Sequence, residues 1–440
     1  MRVKHQMRWV VLCAVAVVLG ACDMDLTDPN NPNEEDVITD ATGLKQVGIG
    51  LQAEYGNALV NPIYVDALVS DMIGAIPQAF ESYRRVDEGL SIDYDLGPST
   101  ETWATMYDVV QVADVLLANV PNVPALQPAT ASGLTALANL FKAMAFGHLL
   151  QVYERIPLDV GLDNLNPQFA SRQEGFAEVL RLLNEARTLI QTTPPSAEFN
   201  NEVLAPGFNL AATIDAMIAR YALIAGDYTQ ALAGAQLVPL NIISEMRFSS
   251  ADPNPLWNMW LGPGGNAFRM FPEDRFRLNA EAGDQRVAYW VKAAAITGSN
   301  VASPLDSLVR YGVREASFPL YFPDEMRLIM AEVYARQGDL VQALTFLNQV
   351  RTQCSSPLPE PVACLPALTP ADVPTQAAML AAIYRERQYE LYLQGLHWSD
   401  ARRFGMPLKY SFLMVSAAEC SRNSNAPPEL CQGTTQPVSP

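Results

Sequence analysis

Histidine is almost missing from this chain of 440 residues: there are three, and only His148 and His397 lie beyond residue 21. They are far apart, and no HExxH or CxxC spacing accompanies them, so the usual sequence routes to a zinc site are closed. No G-x-S-x-G elbow, phosphate-binding loop or dinucleotide fingerprint occurs either, which lowers the case for acyl transfer, nucleotide hydrolysis or hydride transfer. We therefore expect no cofactor and no metal. Positive charge is also scarce, with 29 Lys and Arg against 47 Asp and Glu and a formal charge of −18. Such a surface repels phosphate backbones, which argues against nucleic acid and against adhesion to anionic headgroups. After the first 21 residues, no apolar stretch reads as long enough to span a bilayer.

What is present begins with an address. Arg2, Lys4 and Arg8 form a basic leader, residues 9–19 are an uncharged apolar run of 11, and Leu19-Gly20-Ala21 leads into Cys22. That is a secretory signal over residues 1–21, too short for the roughly 20 apolar residues of a spanning helix. Its end resembles a lipobox, where bacterial lipoproteins are cut and the cysteine acylated, so Cys22 is the expected lipid anchor. Loss of the leader's three basic residues takes the formal charge from −18 to −21. Residues 22–38 are acidic, rich in Asn and Pro and poor in anything to bury, and read as a flexible tether. Four cysteines remain for an exported body: Cys354, Cys364, Cys420 and Cys431. Of the three possible pairings, Cys354 with Cys364 and Cys420 with Cys431 each close a short, turn-rich loop.

The body reads as all-α. Leu44, Val47 and Leu51 open one helical pattern. Trp103, Met106, Tyr107 and Val110 make a second, with Ser99 and Thr100 as expected caps, and Leu134, Leu137, Ala138 and Phe141 a third. A capping-box pair, Ser171 and Glu174, starts a fourth that stops before Pro194-Pro195. Then come two matching hairpins. Ile214, Met217, Ile218 and Tyr221 precede Gly226-Asp227, and Met326, Ile329, Met330 and Val333 precede Gly338-Asp339, with Leu340, Ala343, Leu344 and Leu347 after it. The two copies lie 112 residues apart. They resemble tetratricopeptide repeats, although the offset is no multiple of that repeat's roughly 34 residues, so they read as split by inserted material rather than as a stacked array. Residues 241–318, between the hairpins, lose periodicity and hold Pro253, Pro255, Gly262-Pro263-Gly264-Gly265 and three of the five tryptophans beyond the leader.

Taken together, these pieces resemble the SusD/RagB outer-membrane nutrient-binding lipoproteins. The resemblance rests on the lipobox, on Trp103 and Tyr107, and on FKAMAFGHLLQVYERIPL over residues 141–158. It continues with GDQR over residues 283–286, the late repeat, and a closing signature in which Glu386, Arg387, Glu390, Leu391, Gly395, Trp398, Asp400, Arg403, Phe404 and Gly405 fit the family pattern. It runs to about Leu408 and leaves out the tail with Cys420 and Cys431. Three places depart from it: His397 stands for a usual arginine, Gln394 for a usual glutamate, and Pro323-Asp324-Glu325-Met326 for an arginine-containing entry to the late repeat.

The resemblance implies a SusD-like superhelix with tetratricopeptide-like hairpins and a loop-rich insertion. Its parts would be a helical domain over residues 39–412, with a ligand-facing segment at 241–318 and repeat and signature at 319–405, then an irregular, disulfide-bearing tail at 413–440. It also implies a non-catalytic, cell-surface outer-membrane lipoprotein that captures oligosaccharide for a SusC-like TonB-dependent transporter. A tetratricopeptide-type scaffold for other envelope proteins is the alternative, and it would be indifferent to sugar.

Sugar rings pack an apolar C–H face on aromatic rings and need amides, carboxylates or guanidinium groups for their hydroxyls. Trp257, Asn258, Trp260, Asn266, Arg269, Tyr289 and Trp290 supply both kinds in the loop-rich segment, and Tyr83 and Arg84 join them from an earlier loop. Trp103 and Trp398, on patterned helices, read as core. Glu386, Glu390 and Asp400 beside Arg387, Arg402 and Arg403 could suggest a carboxylate pair for glycoside hydrolysis. Their spacing along one helix reads instead as ion-paired helix surface or scaffold.

Overall fold

The computed structural model describes residue 38 and residues 40–161, 164–259, 269–297 and 303–438, apart from the Asn258 side chain. The signal sequence, Cys22 and most of the tether lie outside these residues. In chain order the helices are α1 (Ala41–Ala58), α2 (Val60–Val69), α3 (Glu81–Asp87), α4 (Gly97–Asn119), α5 (Pro128–Val152), α6 (Arg172–Thr192), α7 (Ala197–Glu202), α8 (Leu210–Ala225) and α9 (Tyr228–Leu237). They continue with α10 (Asp274–Leu278), α11 (Arg286–Trp290), α12 (Pro323–Arg336), α13 (Leu340–Thr352), α14 (Gln376–Glu390), α15 (His397–Phe404) and α16 (Ala417–Arg422). Extended structure among the described residues is limited to short antiparallel pairs, such as Ile73–Ala75 with Met270–Pro272 and Ile92–Asp93 with Thr434–Thr435, and one parallel bridge between Tyr153 and Leu413. The fold is mainly helical, as the sequence implies.

Local chemistry sets the ends of several helices. The Ser171 side chain accepts the Glu174 N–H while the Glu174 carboxylate accepts the Ser171 N–H, closing the capping box, and α6 stops two residues before Pro194. Gly226 and Gly338 adopt φ of 85° and 86°, the left-handed turn that a side chain would strain. After each, an aspartate caps the next helix: Asp227 accepts from Gln230 N–H and Asp339 from Gln342 N–H, both at 3.0 Å. The equivalence predicts equal costs. Asp339→Ala and Asp227→Ala should each lower stability by about 1 kcal/mol, read from denaturant midpoints, with unequal losses counting against matched caps. Ser99 and Thr100 do not cap: α4 already begins at Gly97, Pro98 occupies its first turn, and both hydroxyl residues lie inside the helix.

Packing follows a chain of neighbours: α1 on α4, α4 on α5, α5 on α6, α6 on α8, α8 on α9, α9 on α12, and α12 on both α13 and α14. The two Gly-Asp hairpins, far apart in sequence, therefore touch through α9 and α12. The inserted segment loops out and the stack closes behind it, so split copies still stack in space. Small residues permit the close approach: a Cβ on Gly147 of α5 would come within 2.2 Å of the Tyr221 ring of α8. One sequence expectation needs correction here, because α5 is long and apolar enough to cross a membrane by composition. With 89% of its apolar window buried, it is the central core helix of this fold.

The helix α12 also departs from expectation. Met326, Ile329, Met330 and Val333 are buried as the periodicity predicts, but so are Asp324, Glu325 and Glu332 on the other faces. Helices surround it, and its carboxylates point into protein. The closing signature is likewise two helices rather than one: the chain breaks after Glu390, takes positive φ at Leu393 (56°) and Gly395 (69°), and restarts as α15. Cys354 is bonded to Cys364 and Cys420 to Cys431, with Cα separations of 4.2 and 5.7 Å.

Candidate functional site

The aromatic and polar residues singled out in sequence do not form one group. Trp290 is fully buried, donates its indole N–H to Tyr389 O at 2.9 Å, and packs among Tyr289, Tyr311, Phe322 and Tyr392. It is core, because its one-turn helix α11 lies against α14. Tyr83 is buried as well; it lies 2.5 Å from the Tyr64 hydroxyl and both phenols donate to the Glu101 carboxylate. Arg84 is half-buried with Glu88 at 3.5 Å. Tyr289 donates to Pro359 O at 2.8 Å, and Trp257 lies half-buried under the Arg314 guanidinium, 5.1 Å from its ring centroid. Arg269 is exposed. Trp260, Asn266 and the side chain of Asn258 lie outside the described residues.

Two of these meet at a rim the sequence hides. Residues 73–75 pair with residues 270–272, and just beyond the pairing Ile76 N–H bonds Arg269 O at 3.2 Å while the Arg269 guanidinium bonds Gln78 O at 2.8 Å. The loop so pinned presents Phe80, 59% exposed, as the residue just before α3. Its ring lies 6.3 Å from that of Tyr83, whose hydrogen bonds to Tyr64 and Glu101 tie the loop to α2 and α4. An exposed ring, a guanidinium and a rigid base thus stand together. The sequence reading took Tyr83 and Arg84 from this stretch and missed Phe80, which precedes the helix and stands exposed.

A second feature lies further along α4. Trp103 and Tyr107, with Pro157, Val160, Leu165 and Glu419, wall a cavity of about 310 Å³ between α4, the loop after α5, and α16. Trp103 is 6% exposed, held edge-on to Tyr153 and stacked with Phe169, and Tyr107 donates to Pro157 O at 2.8 Å. Trp103 is therefore not wholly core.

The charged signature is internal. Arg286 of the GDQR segment is 1% exposed and reaches Asp284 (2.7 Å), Glu386 (2.7 Å) and Glu390 (3.4 Å). Arg351 of α13 reaches the same Glu386 and also Glu281 at 2.9 Å. Arg387 grips Asp400 with two hydrogen bonds of 2.7 and 3.0 Å, and Arg403 grips Glu332 at 2.7 and 2.9 Å and Asp400 at 2.8 Å. Arg220 of α8 pairs with Glu325 of α12 at 2.6 Å. The reading as scaffold stands, but as a buried network rather than a helix surface. Burial alone would raise Glu332 and Asp400; Arg403 and Arg387 hold them below their usual range. Where carboxylates outnumber arginines the sign reverses: burial and nearby Glu360 leave Asp324 at about 6 despite Arg327, and burial with Asp324 raises Glu390. Such groups are bound into the frame. His148 is a packed core histidine, 3.0 Å from the Tyr55 hydroxyl and lowered to about 3 by burial.

Residues 307–437 match the sequence model of the SusD family. Over that span the chain carries the sequence pattern of the SusD family. The matched span holds the whole closing signature and runs on through both tail cysteines, beyond the point where the sequence resemblance was drawn; GDQR and the earlier pieces lie outside it. A SusD superfamily protein from Bacteroides fragilis superposes with a TM-score of 0.69 at 15% identity, over 89% of this chain and 99% of that one. A SusD-like carbohydrate binding protein from Bacteroides vulgatus gives 0.64 at 16% identity, over 84% of each. NanU of Bacteroides fragilis gives 0.63 at 15%, over 91% of this chain and 94% of that one. At these identities the shared property is the fold. No curated protein matches the sequence. Within the SusD fold, the network places GDQR and the signature in direct contact, giving a physical reason for two distant segments of the pattern to occur together.

Proposed function

We propose that this SusD-family chain is a non-catalytic binding lipoprotein, anchored through Cys22 at the outer membrane and exposed at the cell surface. It captures an oligosaccharide and delivers it to a SusC-like TonB-dependent transporter. The observation that carries the reading is the rim of Phe80 and Arg269, an exposed ring beside a guanidinium on a loop pinned to the helical frame. Aromatic rings accept the C–H face of a sugar, and the guanidinium serves its hydroxyls. The rim leads into the segment that holds Trp257, Asn258, Trp260 and Asn266, which we assign to the same ligand face, with Arg84 at its edge. The structural neighbour from Bacteroides vulgatus bears the description carbohydrate binding, which supports the same class for this chain. The signature carboxylates, committed to arginines inside the frame, offer no hydrolytic pair, which supports binding without turnover.

Calorimetric titration of the full mature chain with maltohexaose, xylohexaose, mannohexaose and chitohexaose tests this. At least one should bind, and Phe80→Ala or Arg269→Ala should weaken it about tenfold, a loss of about 1.4 kcal/mol. No binding across the panel, or new reducing ends after incubation, would count against the reading. Copurification of a TonB-dependent transporter from solubilised outer membranes tests the delivery role.

A further inference from the structure

The cavity beside Trp103 is not consumed by the scaffold. Its aromatic wall is fixed by Tyr153, Phe169 and the Tyr107 hydrogen bond, so it cannot collapse without breaking those contacts. Its rim is polar and open: among the described residues, neither Asp108 nor Gln111 has a hydrogen-bond or ion-pair partner, and the two stand three residues apart on one face of α4. Opposite them the Arg422 guanidinium lies over Glu419 at 2.9 Å, and Leu165 stands 66% exposed at the mouth. Partial desolvation raises the Asp108 carboxyl above its usual range, as expected for an acid at an apolar opening.

We propose that this cavity is a second carbohydrate subsite, taking a sugar unit whose C–H face lies toward Trp103 and Tyr107 and whose hydroxyls meet Asp108 and Gln111. The proposal rests on the oligosaccharide-binding reading and places part of the ligand away from the Phe80 rim. The volume, about 310 Å³, is at the lower end of the roughly 300–1,000 Å³ of small-molecule sites and suits a short sugar segment. The lining argues against other classes. An anion would find one guanidinium already paired with Glu419, and a lipid tail would meet open carboxylate and amide groups at the entrance. No group of three metal-donating side chains occurs among the described residues. The helix supplies the link to the rim: Glu101, which holds Tyr64 and Tyr83 under Phe80, lies seven residues before Asp108 on α4, about 10 Å along its axis.

The test uses the exposed residue Ala104, which lines the cavity. In the full mature chain, Ala104→Trp fills the space, and Asp108→Asn removes the open carboxylate while keeping its shape. For whichever of the four hexasaccharides binds the unaltered chain, Ala104→Trp should weaken binding about tenfold and Asp108→Asn at least threefold, with melting temperatures unchanged. Unaltered affinity in both variants overturns the subsite, and if Ala104→Trp proves unstable, Asp108→Asn decides alone. Loss in Phe80→Ala with none in the cavity variants sinks the subsite and leaves the rim standing. Loss in the cavity variants alone moves the site to the cavity and removes the rim. A chain that binds none of the four sinks both.

Discussion

Arg286→Met is expected to destabilise the chain by about 3–5 kcal/mol, measured as a fall in ΔG of unfolding from denaturant titration. The magnitude follows from what the substitution leaves behind. Arg286 is the shared counter-ion of Asp284, Glu386 and Glu390, all of them buried. Methionine fills most of the volume but supplies no charge, so carboxylates remain in a medium that solvates them poorly. Arg351 still reaches Glu386, but Glu390, already raised by burial and by Asp324, then has no direct counter-ion among the described residues. The deficit should narrow as pH falls, because the orphaned carboxyls take up protons. Adding Glu386→Gln and Glu390→Gln should recover part of the loss at neutral pH. A variant as stable as the unaltered chain at pH 7, or one whose deficit ignores pH, would show that the network is not carrying the contact between the GDQR segment and α14.

That network marks where one-dimensional reading stopped. The helices and the two Gly-Asp turns were legible because their causes are local: a 3.6-residue apolar repeat, a residue that tolerates positive φ, and a carboxylate three residues from an open N–H. The burial of Glu325 and Glu332 was not, because Arg220 and Arg403 arrive from α8 and α15, and Asp324 is buried with Arg327, three residues on along α12. In isolation a charged residue on a helix reads as solvent-facing; only the arginine's position reverses that. The break at residues 391–395 was hidden for a related reason, since Leu393 holds a positive φ that its side chain does not advertise.

The candidate site was legible in kind more than in place. An aromatic in an aperiodic segment can be ligand platform or core, and Trp290 and Phe80 resolve in opposite directions. Trp290 looked like a loop residue because α11 is too short to show a period, yet α14 covers it. Phe80 drew no reading in the sequence, where Tyr83 stood as the ligand residue of that loop; the structure reverses the two, burying Tyr83 and leaving Phe80 exposed just ahead of α3. Trp103, assigned to core by its helical pattern, borders an open cavity because a helix on the surface of a stack has intermediate flanks as well as an inner and an outer face.

The second large effect concerns Asp66 and pH. The carboxylate of Asp66 on α2 accepts the N–H groups of His397 and Trp398 at 3.2 and 2.8 Å, satisfying the first turn of α15, whose own preceding residue, Leu396, offers no cap. Burial nonetheless raises its pKa from 3.8 to about 7, outweighing those two donors and Arg402. His397 provides no compensating cation: it stands where the family pattern has an arginine, and burial lowers it to about 4, so it is neutral at physiological pH. A carboxyl raised in the folded state keeps its proton there between about pH 4 and 7 while the unfolded chain releases it, so rising pH favours unfolding through that window. The contribution of Asp66, fully present below pH 4, should be lost by about pH 8, a change of about 4 kcal/mol. Glu332 and Asp400 act in the opposite sense, but only at lower pH, because Arg403 and Arg387 hold them below their ordinary values. Asp66→Asn isolates the effect: its amide oxygen can still accept the Trp398 N–H, so the variant should lose about 1 kcal/mol near pH 5 and gain on the unaltered chain as pH rises toward 8. Denaturant midpoints at pH 5, 6, 7 and 8 for both proteins measure this, and parallel profiles would mean that Asp66 titrates like an ordinary carboxyl despite its burial.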